Sequence, residues 1–180
     1  MDLREVLDKP IVLAGIMGSG KSTVGKKLAK RLYLQFYDSD KVIEDRQGLS
    51  VVDIHEFKGS DYFHEQEAKI IQEILGYGKL ILSIGGGSFA NKDLRASIEA
   101  RAITIWLSAS LDVLHERVSR RNTRPELNLG DKKLILQKMI DESQDFASNA
   151  DIIVESAEQD SHYIVDTIIS KLKKHYNIVF

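Results

Sequence analysis

The length of 180 residues fits one domain with a substantial core, and 43% hydrophobic with 29% charged residues is typical of an ordinary soluble globular protein. The chain has no cysteine, which excludes disulfides, thiolate metal sites and cysteine redox chemistry. A formal net charge of −2 gives no overall attraction to nucleic acid, and the acidic start lacks the apolar core of a secretory signal. We therefore expect one domain over residues 1–180: a cytoplasmic monomer that binds small molecules, with neither nucleic acid nor membrane as a partner.

Apolar periodicity alternates along the chain between short strand-like runs and longer helix-like segments. Strands are predicted over residues 10–14, 35–37, 80–84, 102–107 and 152–154. Helices are predicted over residues 21–32, 41–47, 51–57, 61–75, 93–99, 111–119, 131–146 and 161–175. Parallel strands need crossover connections, which helices usually supply. The pattern therefore predicts a three-layer α/β/α fold with a five-stranded parallel sheet and the first strand near its centre.

The segment from Gly15 to Ser22 has the spacing G-x-x-x-x-G-K-[ST] of a phosphate-binding P-loop. It lies between a predicted buried strand and the start of a predicted helix, which is the context that the motif requires. Glycines let successive N–H groups approach an anion, and the helix dipole adds positive charge at the same point. Lys21 can reach the terminal phosphates, and the Ser22 hydroxyl can bind Mg²⁺. The alternative is a glycine-rich turn without a ligand.

Two acidic residues, Asp38 and Asp40, follow the second predicted strand. One carboxylate can serve Mg²⁺ and the other can accept a hydrogen bond from a substrate hydroxyl. A solvated turn in which Asp40 caps the next helix is the alternative. Three glycines, Gly85 to Gly87, follow the third strand and would admit a ligand close to the backbone, although a flexible turn has the same composition.

The basic stretch that contains Arg120, Arg121 and Arg124 beside Pro125 interrupts the helical pattern. Arginine pairs with phosphate and stacks on a base, so this stretch suits a mobile flap over a nucleotide, a lid over about residues 119–131. A solvated basic loop is the alternative. Ligands of parallel α/β sheets bind beyond the carboxyl ends of the strands. The P-loop, the acidic pair, the glycines and Ser108 all follow strands, and we expect them to line one edge of the sheet.

The order of these motifs resembles the shikimate kinase family, with similarity from about Ile11 to Ser156. The resemblance rests on the P-loop through Thr23, on Phe36-Tyr37-Asp38-Ser39-Asp40, on the triglycine and on Arg124-Pro125. It implies a P-loop kinase fold like that of nucleoside monophosphate kinases. It also implies transfer of the γ-phosphoryl of ATP to a ring hydroxyl, converting shikimate to shikimate 3-phosphate in aromatic amino acid biosynthesis.

The resemblance also implies residue roles by position. ATP would be held by Gly18, Ser19, Gly20, Lys21, Ser22, Thr23 and Arg124. Substrate would be contacted by Asp40, His64, Gly85, Gly86 and Gly87. Mg²⁺ would be served by Ser22 and Asp38, and catalysis by Lys21, Asp40 and Arg124.

Two substrate-binding arginines of the family are absent from this sequence. His64 stands where the family has the arginine of Phe-Arg-x-x-Glu, and Glu142 or Ser143 stands at the second position. The lid also reads Arg-Pro-Glu126 instead of Arg-Pro-Leu. Losing two charge-assisted contacts of roughly 1.5–3 kcal/mol each weakens carboxylate binding by about 150-fold to more than 10⁴-fold unless something compensates. Protonated His64 can recover part of this, and a displaced cation such as Arg117, Lys132 or Lys133 is another route.

Four functions remain open from the sequence. The leading one is a kinase of the shikimate kinase type. The second is a related P-loop kinase, similar to gluconate kinase, that acts on another polyol or sugar acid, which the missing arginines favour. The third is a nucleotide-binding remnant with an interaction role; the residues that argue against it are intact, namely Lys21, Ser22, Asp38, Asp40 and Arg124. The fourth is nucleic-acid binding, which is disfavoured because the lid already accounts for the basic cluster.

Overall fold

The computed structural model of the protein describes residues 2–120, 125–156 and 160–178, with the side chain of Glu126 left out. The strands are β1 (Ile11–Ala14), β2 (Gln35–Asp38), β3 (Leu80–Ser83), β4 (Ile103–Ser108) and β5 (Ile152–Glu155). The helices are α1 (Leu3–Val6), α2 (Lys21–Leu32), α3 (Ser39–Gln47), α4 (Val51–Lys58), α5 (Ser60–Ile74), α6 (Lys92–Arg101), α7 (Leu111–Ser119), α8 (Lys132–Asn149) and α9 (Ser161–His175). Short 3-10 turns cover Ser88–Ala90 and Pro125–Asn128.

The strands form one sheet in the order β2-β3-β1-β4-β5, and every neighbouring pair is parallel. This confirms the predicted five-stranded parallel sheet with the first strand at its centre. Because all strands run in the same direction, the residues that follow β1, β2 and β3 meet at one edge. The P-loop, the acidic pair and the triglycine are therefore neighbours in space.

Both faces of the sheet are covered by helices, which confirms the predicted three layers. All four residues of β1 are buried, and their side chains alternate between the two faces. Ile11 and Leu13 belong to a core cluster shared with α1, α2 and α9. Val12 and Ala14 belong to a second cluster formed with α3 to α8. The central strand is therefore held from both sides, which makes it a rigid support for the loop that follows it.

Several elements begin or end differently from the sequence prediction. Helix α3 begins at Ser39 and not at Lys41, because the Asp38 side chain accepts hydrogen bonds from the backbone N–H groups of Asp40 and Lys41. Asp38, and not Asp40, is therefore the cap of this helix. The short helix α1 was missed, since its four residues show no measurable periodicity.

Part of the predicted lid lies outside the described residues, namely 121–124, which include Arg121 and Arg124. On the far side of that gap, Leu127 is buried and packs into the cluster with α3 to α8. Within the described part of residues 119–131, Leu127 therefore attaches the stretch to the hydrophobic core. Among the described residues, we find no helix that is both long enough and apolar enough to span a membrane.

Candidate active site

The loop between β1 and α2 has the backbone of a phosphate cradle. Gly18 and Gly20 have φ angles of 86° and 90°, in the left-handed region that favours glycine. Helix α2 begins at Lys21, so the N–H groups of its first turn face the loop. This combination of turned glycines and a helix N-terminus is suited to binding an anion.

The side chain of Lys21 packs against this loop. It is buried, and its ammonium donates hydrogen bonds to the backbone oxygens of Gly15 at 2.8 Å and Ile16 at 3.1 Å. The positive charge is therefore kept at the rim of the cradle by the loop itself. A phosphate bound there would be neutralised without a large movement of the lysine.

Ser156 and Arg117 hydrogen-bond the backbone of this loop from the other half of the sheet. Neither residue was assigned to the loop from the sequence. The Ser156 hydroxyl, just after β5, donates to the Ser19 oxygen at 2.8 Å. The Arg117 guanidinium, in the last turn of α7, donates to the oxygens of Gly18 at 3.1 Å and Ser156 at 2.7 Å. Ser156 directly follows β5 at the same sheet edge, and that position was the one signal in the sequence for its role.

The two carboxylates at the end of β2 and the start of α3, those of Asp38 and Asp40, take different positions. One oxygen of Asp38 caps α3, while the other accepts a short hydrogen bond from the Ser22 hydroxyl. The hydroxyl of the P-loop and a carboxylate thus meet at one point, and hard oxygen ligands of this kind suit Mg²⁺. Within the described ranges, no group of three or more His, Cys, Asp or Glu residues could hold a metal. A Mg²⁺ held by Ser22 and Asp38 would therefore need ligands beyond these two side chains.

Asp40 lies in the first turn of α3, beside the triglycine. Its Oδ1 atom is 3.2 Å from the position that a Cβ on Gly85 would occupy. Ser39, which is fully buried, accepts a hydrogen bond from the Gly85 N–H at 3.2 Å and donates one to Glu67 at 3.5 Å. The start of α3, the triglycine and α5 are thereby joined. Ser39 and Glu67 were not predicted as members of this site.

The three glycines have different reasons to lack a side chain. A Cβ on Gly85 would lie 2.3 Å from the Glu67 carboxylate, and one on Gly86 would lie 3.0 Å from the Met17 nitrogen of the P-loop. The nearest atom to a Cβ on Gly87 is 3.9 Å away, on the His64 ring. The first two glycines therefore let the protein pack against itself, whereas Gly87 leaves open space beside His64.

We expect Gly85→Ala to lower the free energy of unfolding by about 1–3 kcal/mol, since the added methyl group displaces a buried carboxylate from its hydrogen bond with Ser39. Gly87→Ala is the matched control. Its φ of −103° suits alanine and its surroundings are open, so we expect a change within about 0.5 kcal/mol. Urea denaturation of both variants measures the difference. Equal losses would show that Gly85 is not a packing position.

His64 projects from α5 toward the far end of the triglycine. Its side chain is 50% exposed, and its Nδ1 is 3.7 Å from the buried Glu67 carboxylate. A second histidine, His55 on α4, packs edge-on against it with ring centroids 6.1 Å apart, and its Nδ1 lies 3.0 Å from the Ser60 hydroxyl. His55 was not recognised in the sequence, because nothing there indicated that α4 and α5 bring the two rings together.

The cations considered as replacements for the missing arginines are mostly engaged elsewhere. Arg117 is bound to the two backbone oxygens given above, and Lys133 pairs with Asp112 at 2.8 Å. Glu142 is exposed and pairs with Lys138 along α8 at 3.6 Å, while the Ser143 hydroxyl is bonded to the Ile140 oxygen of its own helix. Lys132 is half-buried at the start of α8.

A cavity of about 400 Å³ joins the P-loop, the acidic pair and Arg117. It is lined by residues 17–24 of the P-loop and α2, and by Asp38, Asp40, Arg117 and Arg120. Both carboxylates after β2 therefore open into the space in front of the phosphate cradle. The predicted ATP-binding residues from Gly18 to Thr23 lie in this lining, whereas Arg124 is outside the described residues.

Comparisons with known proteins agree with this arrangement. A model of the shikimate kinase family matches residues 17–173. The shikimate kinase of Bradyrhizobium diazoefficiens is 38% identical over 167 residues, which cover 93% of this chain and 81% of that protein. The shikimate kinase of Brucella canis is 37% identical over 174 residues, 96% of this chain and 87% of that protein. The solved structure of shikimate kinase from Acinetobacter baumannii in complex with shikimate matches with a TM-score of 0.90 at 26% identity, covering 96% of each chain.

Proposed function

The chain belongs to the shikimate kinase family, and we propose that it transfers the γ-phosphoryl group of ATP to a ring hydroxyl of shikimate, giving shikimate 3-phosphate. The observation that carries the proposal is the shared cavity, since Asp40 opens into the space that the P-loop and Lys21 enclose. Phosphoryl transfer needs little covalent chemistry from the protein. It requires that the nucleotide phosphates and an acceptor hydroxyl meet in line, with their charge neutralised.

The donor half of the reaction is assigned to the P-loop. The N–H groups of Gly18 to Thr23 hold the phosphates, and the Lys21 ammonium neutralises charge on the β- and γ-phosphates. The Ser22 hydroxyl and the Asp38 carboxylate would hold a Mg²⁺ ion, which would supply further neutralisation of phosphate charge. Arg124 is assigned to the nucleotide through the family resemblance alone.

The acceptor half is assigned to Asp40 and the triglycine. The Asp40 carboxylate accepts the proton of the attacking hydroxyl, or orients that hydroxyl, as the oxygen approaches the γ-phosphorus. Gly86 keeps the backbone close to the P-loop, Gly85 packs on the Glu67 carboxylate, and Gly87 leaves room for the acceptor ring.

All described residues of the site come from one chain, and we propose that a monomer is sufficient for activity. Light scattering under assay conditions tests that statement.

The activity is tested by coupling ADP release to NADH oxidation with shikimate, gluconate and neutral polyols as acceptors, and by ³¹P NMR of the product. We expect shikimate-dependent ADP release and a new phosphate-ester resonance. Turnover with gluconate or a polyol but not with shikimate would assign the protein to another acceptor. ATP binding without turnover on any acceptor would identify a nucleotide-binding remnant.

A further inference from the structure

Ser156 is the point at which the chain after β5 meets the P-loop. Its side chain is buried, and its hydroxyl donates to the Ser19 oxygen at 2.8 Å. A second acceptor, the Ser108 oxygen at the end of β4, lies 3.2 Å from the same hydroxyl. That oxygen already accepts the Ser156 N–H at 2.7 Å. The backbone of Ser156 is therefore fixed to β4, and its hydroxyl proton is available to the P-loop.

The hydrogen bond to the Ser19 oxygen orients one peptide unit of the loop. The Ser19 carbonyl and the Gly20 N–H belong to the same trans peptide, so they point in opposite directions. A donor that holds the Ser19 oxygen on the β5 side therefore turns the Gly20 N–H to the other side. Gly20 lines the cavity, and its N–H is bonded to no acceptor among the residues that the structure describes. This N–H is thus a donor that a phosphate can take up.

The preceding peptide unit of the loop is used differently. Its N–H, that of Ser19, donates to the Ile16 oxygen at 3.0 Å within the loop itself. Its carbonyl, that of Gly18, accepts the hydrogen bond from Arg117. This unit is therefore committed to the loop at both ends. The Ser156 hydroxyl acts on the next unit, whose N–H remains open to a ligand.

Resting on the proposed phosphoryl transfer, we propose that Ser156 is a positioning residue of this kinase, whose hydroxyl orients the Gly20 N–H toward a phosphate of the bound nucleotide. Ser156 takes no part in the chemistry and acts through the Ser19 carbonyl. A donor that is held in place before the reaction stabilises phosphate charge without having to reorient. Without the hydroxyl, the Ser19–Gly20 peptide is free to rotate, and the contact between the Gly20 N–H and the phosphate is weakened.

The kinetic test is Ser156→Ala, which removes the hydroxyl alone. The backbone bonds of this residue to Ser108 and Arg117 remain. We expect kcat/KM for ATP to fall by about 10–150-fold, the range for one hydrogen bond to a charged group. The Michaelis constant for shikimate should not change, since the acceptor is assigned to the other side of the cavity. An unchanged kcat/KM for ATP would overturn the inference.

Thr104→Val is the matched control for a purely structural effect. Thr104 is also buried, and its hydroxyl donates to Asp151 at 2.9 Å, which connects β4 with the start of β5 at the opposite end of the strands. Urea denaturation should show that both variants lose stability. Only Ser156→Ala should lose kcat/KM for ATP at a temperature where both are folded. An equal kinetic loss in Thr104→Val would overturn the inference.

Inorganic tripolyphosphate tests whether the effect belongs to the phosphates, because this probe has neither base nor sugar. Calorimetry without an acceptor should show that Ser156→Ala weakens the binding of tripolyphosphate and of ADP by a similar factor. Weaker binding of ADP alone would place the effect at the nucleoside end of the cavity and overturn the inference.

An NMR measurement observes the Gly20 N–H directly. The chain contains a single Ser-Gly pair, Ser19-Gly20, so cell-free protein with ¹³C-carbonyl serine and ¹⁵N-glycine gives one selected amide signal. Saturating ADP should shift this amide proton downfield in the wild type and shift it less in Ser156→Ala. Equal shifts, or no shift in the wild type, would overturn the inference. A wild type that binds ADP but phosphorylates no acceptor would instead overturn the proposed function.

Discussion

Lys21→Met is expected to reduce phosphoryl transfer by about 10²–10³-fold, the usual cost of removing one group that stabilises transition-state charge. Methionine keeps an aliphatic stem of similar length, so the buried path of the side chain remains filled. What is lost is the ammonium that the Gly15 and Ile16 oxygens hold at the rim of the cradle. Calorimetry should also show weaker binding of Mg²⁺-ATP, since we assign Lys21 a contact with the nucleotide before the reaction as well as during it.

Lys30→Ala is the matched control for Lys21. It removes a lysine from the exposed side of the same helix, away from the loop, and should leave turnover and ATP affinity unchanged. Thermal melting checks that both variants are folded. Full ATP affinity and full turnover in a folded Lys21→Met variant would contradict the assignment of the P-loop.

The P-loop could be predicted because its conformation is determined by residues that are adjacent in the sequence. The strand, the glycines and the helix start lie within one short segment, and the left-handed angles of Gly18 and Gly20 follow from that spacing. The parallel sheet with β1 near its centre was predictable from the alternation of strands and helices, since parallel strands need crossover connections. The predicted helix α2 matches the structure at both ends.

The acceptor side was less predictable because it depends on contacts between distant segments. Nothing local distinguishes Gly85 from Gly87, yet the first packs on the Glu67 carboxylate and the second borders open space. The pairing of His55 with His64 arises from the way α4 folds back on α5. Similarly, the polar side chains of Asp38, Ser39 and Asp40 can each cap a helix. In the structure Asp38 caps α3, because it accepts hydrogen bonds from two backbone N–H groups of the first turn.

Asp40→Asn is expected to lower the turnover number by about 10²–10⁴-fold, the range for loss of a group that takes a proton in the transition state. Asparagine keeps the shape of the side chain beside Gly85 and removes the charge and the basicity. The affinity for Mg²⁺-ATP should change little, because the nucleotide phosphates are assigned to the P-loop and Asp40 to the acceptor. Single-turnover phosphoryl transfer and ATP calorimetry measure the two quantities separately.

Asp45→Asn supplies the comparison, as it removes an exposed carboxylate from the same helix. Asp45 pairs with Lys41 at 2.9 Å, and such a surface ion pair contributes at most about 1 kcal/mol to stability. We therefore expect near wild-type turnover from this variant and a large loss from Asp40→Asn. Equal losses of turnover and ATP affinity in Asp40→Asn would place its carboxylate with the nucleotide. Unchanged turnover would mean that the acceptor hydroxyl gives up its proton elsewhere, since no other carboxylate of the described residues joins Asp38 and Asp40 in lining the cavity.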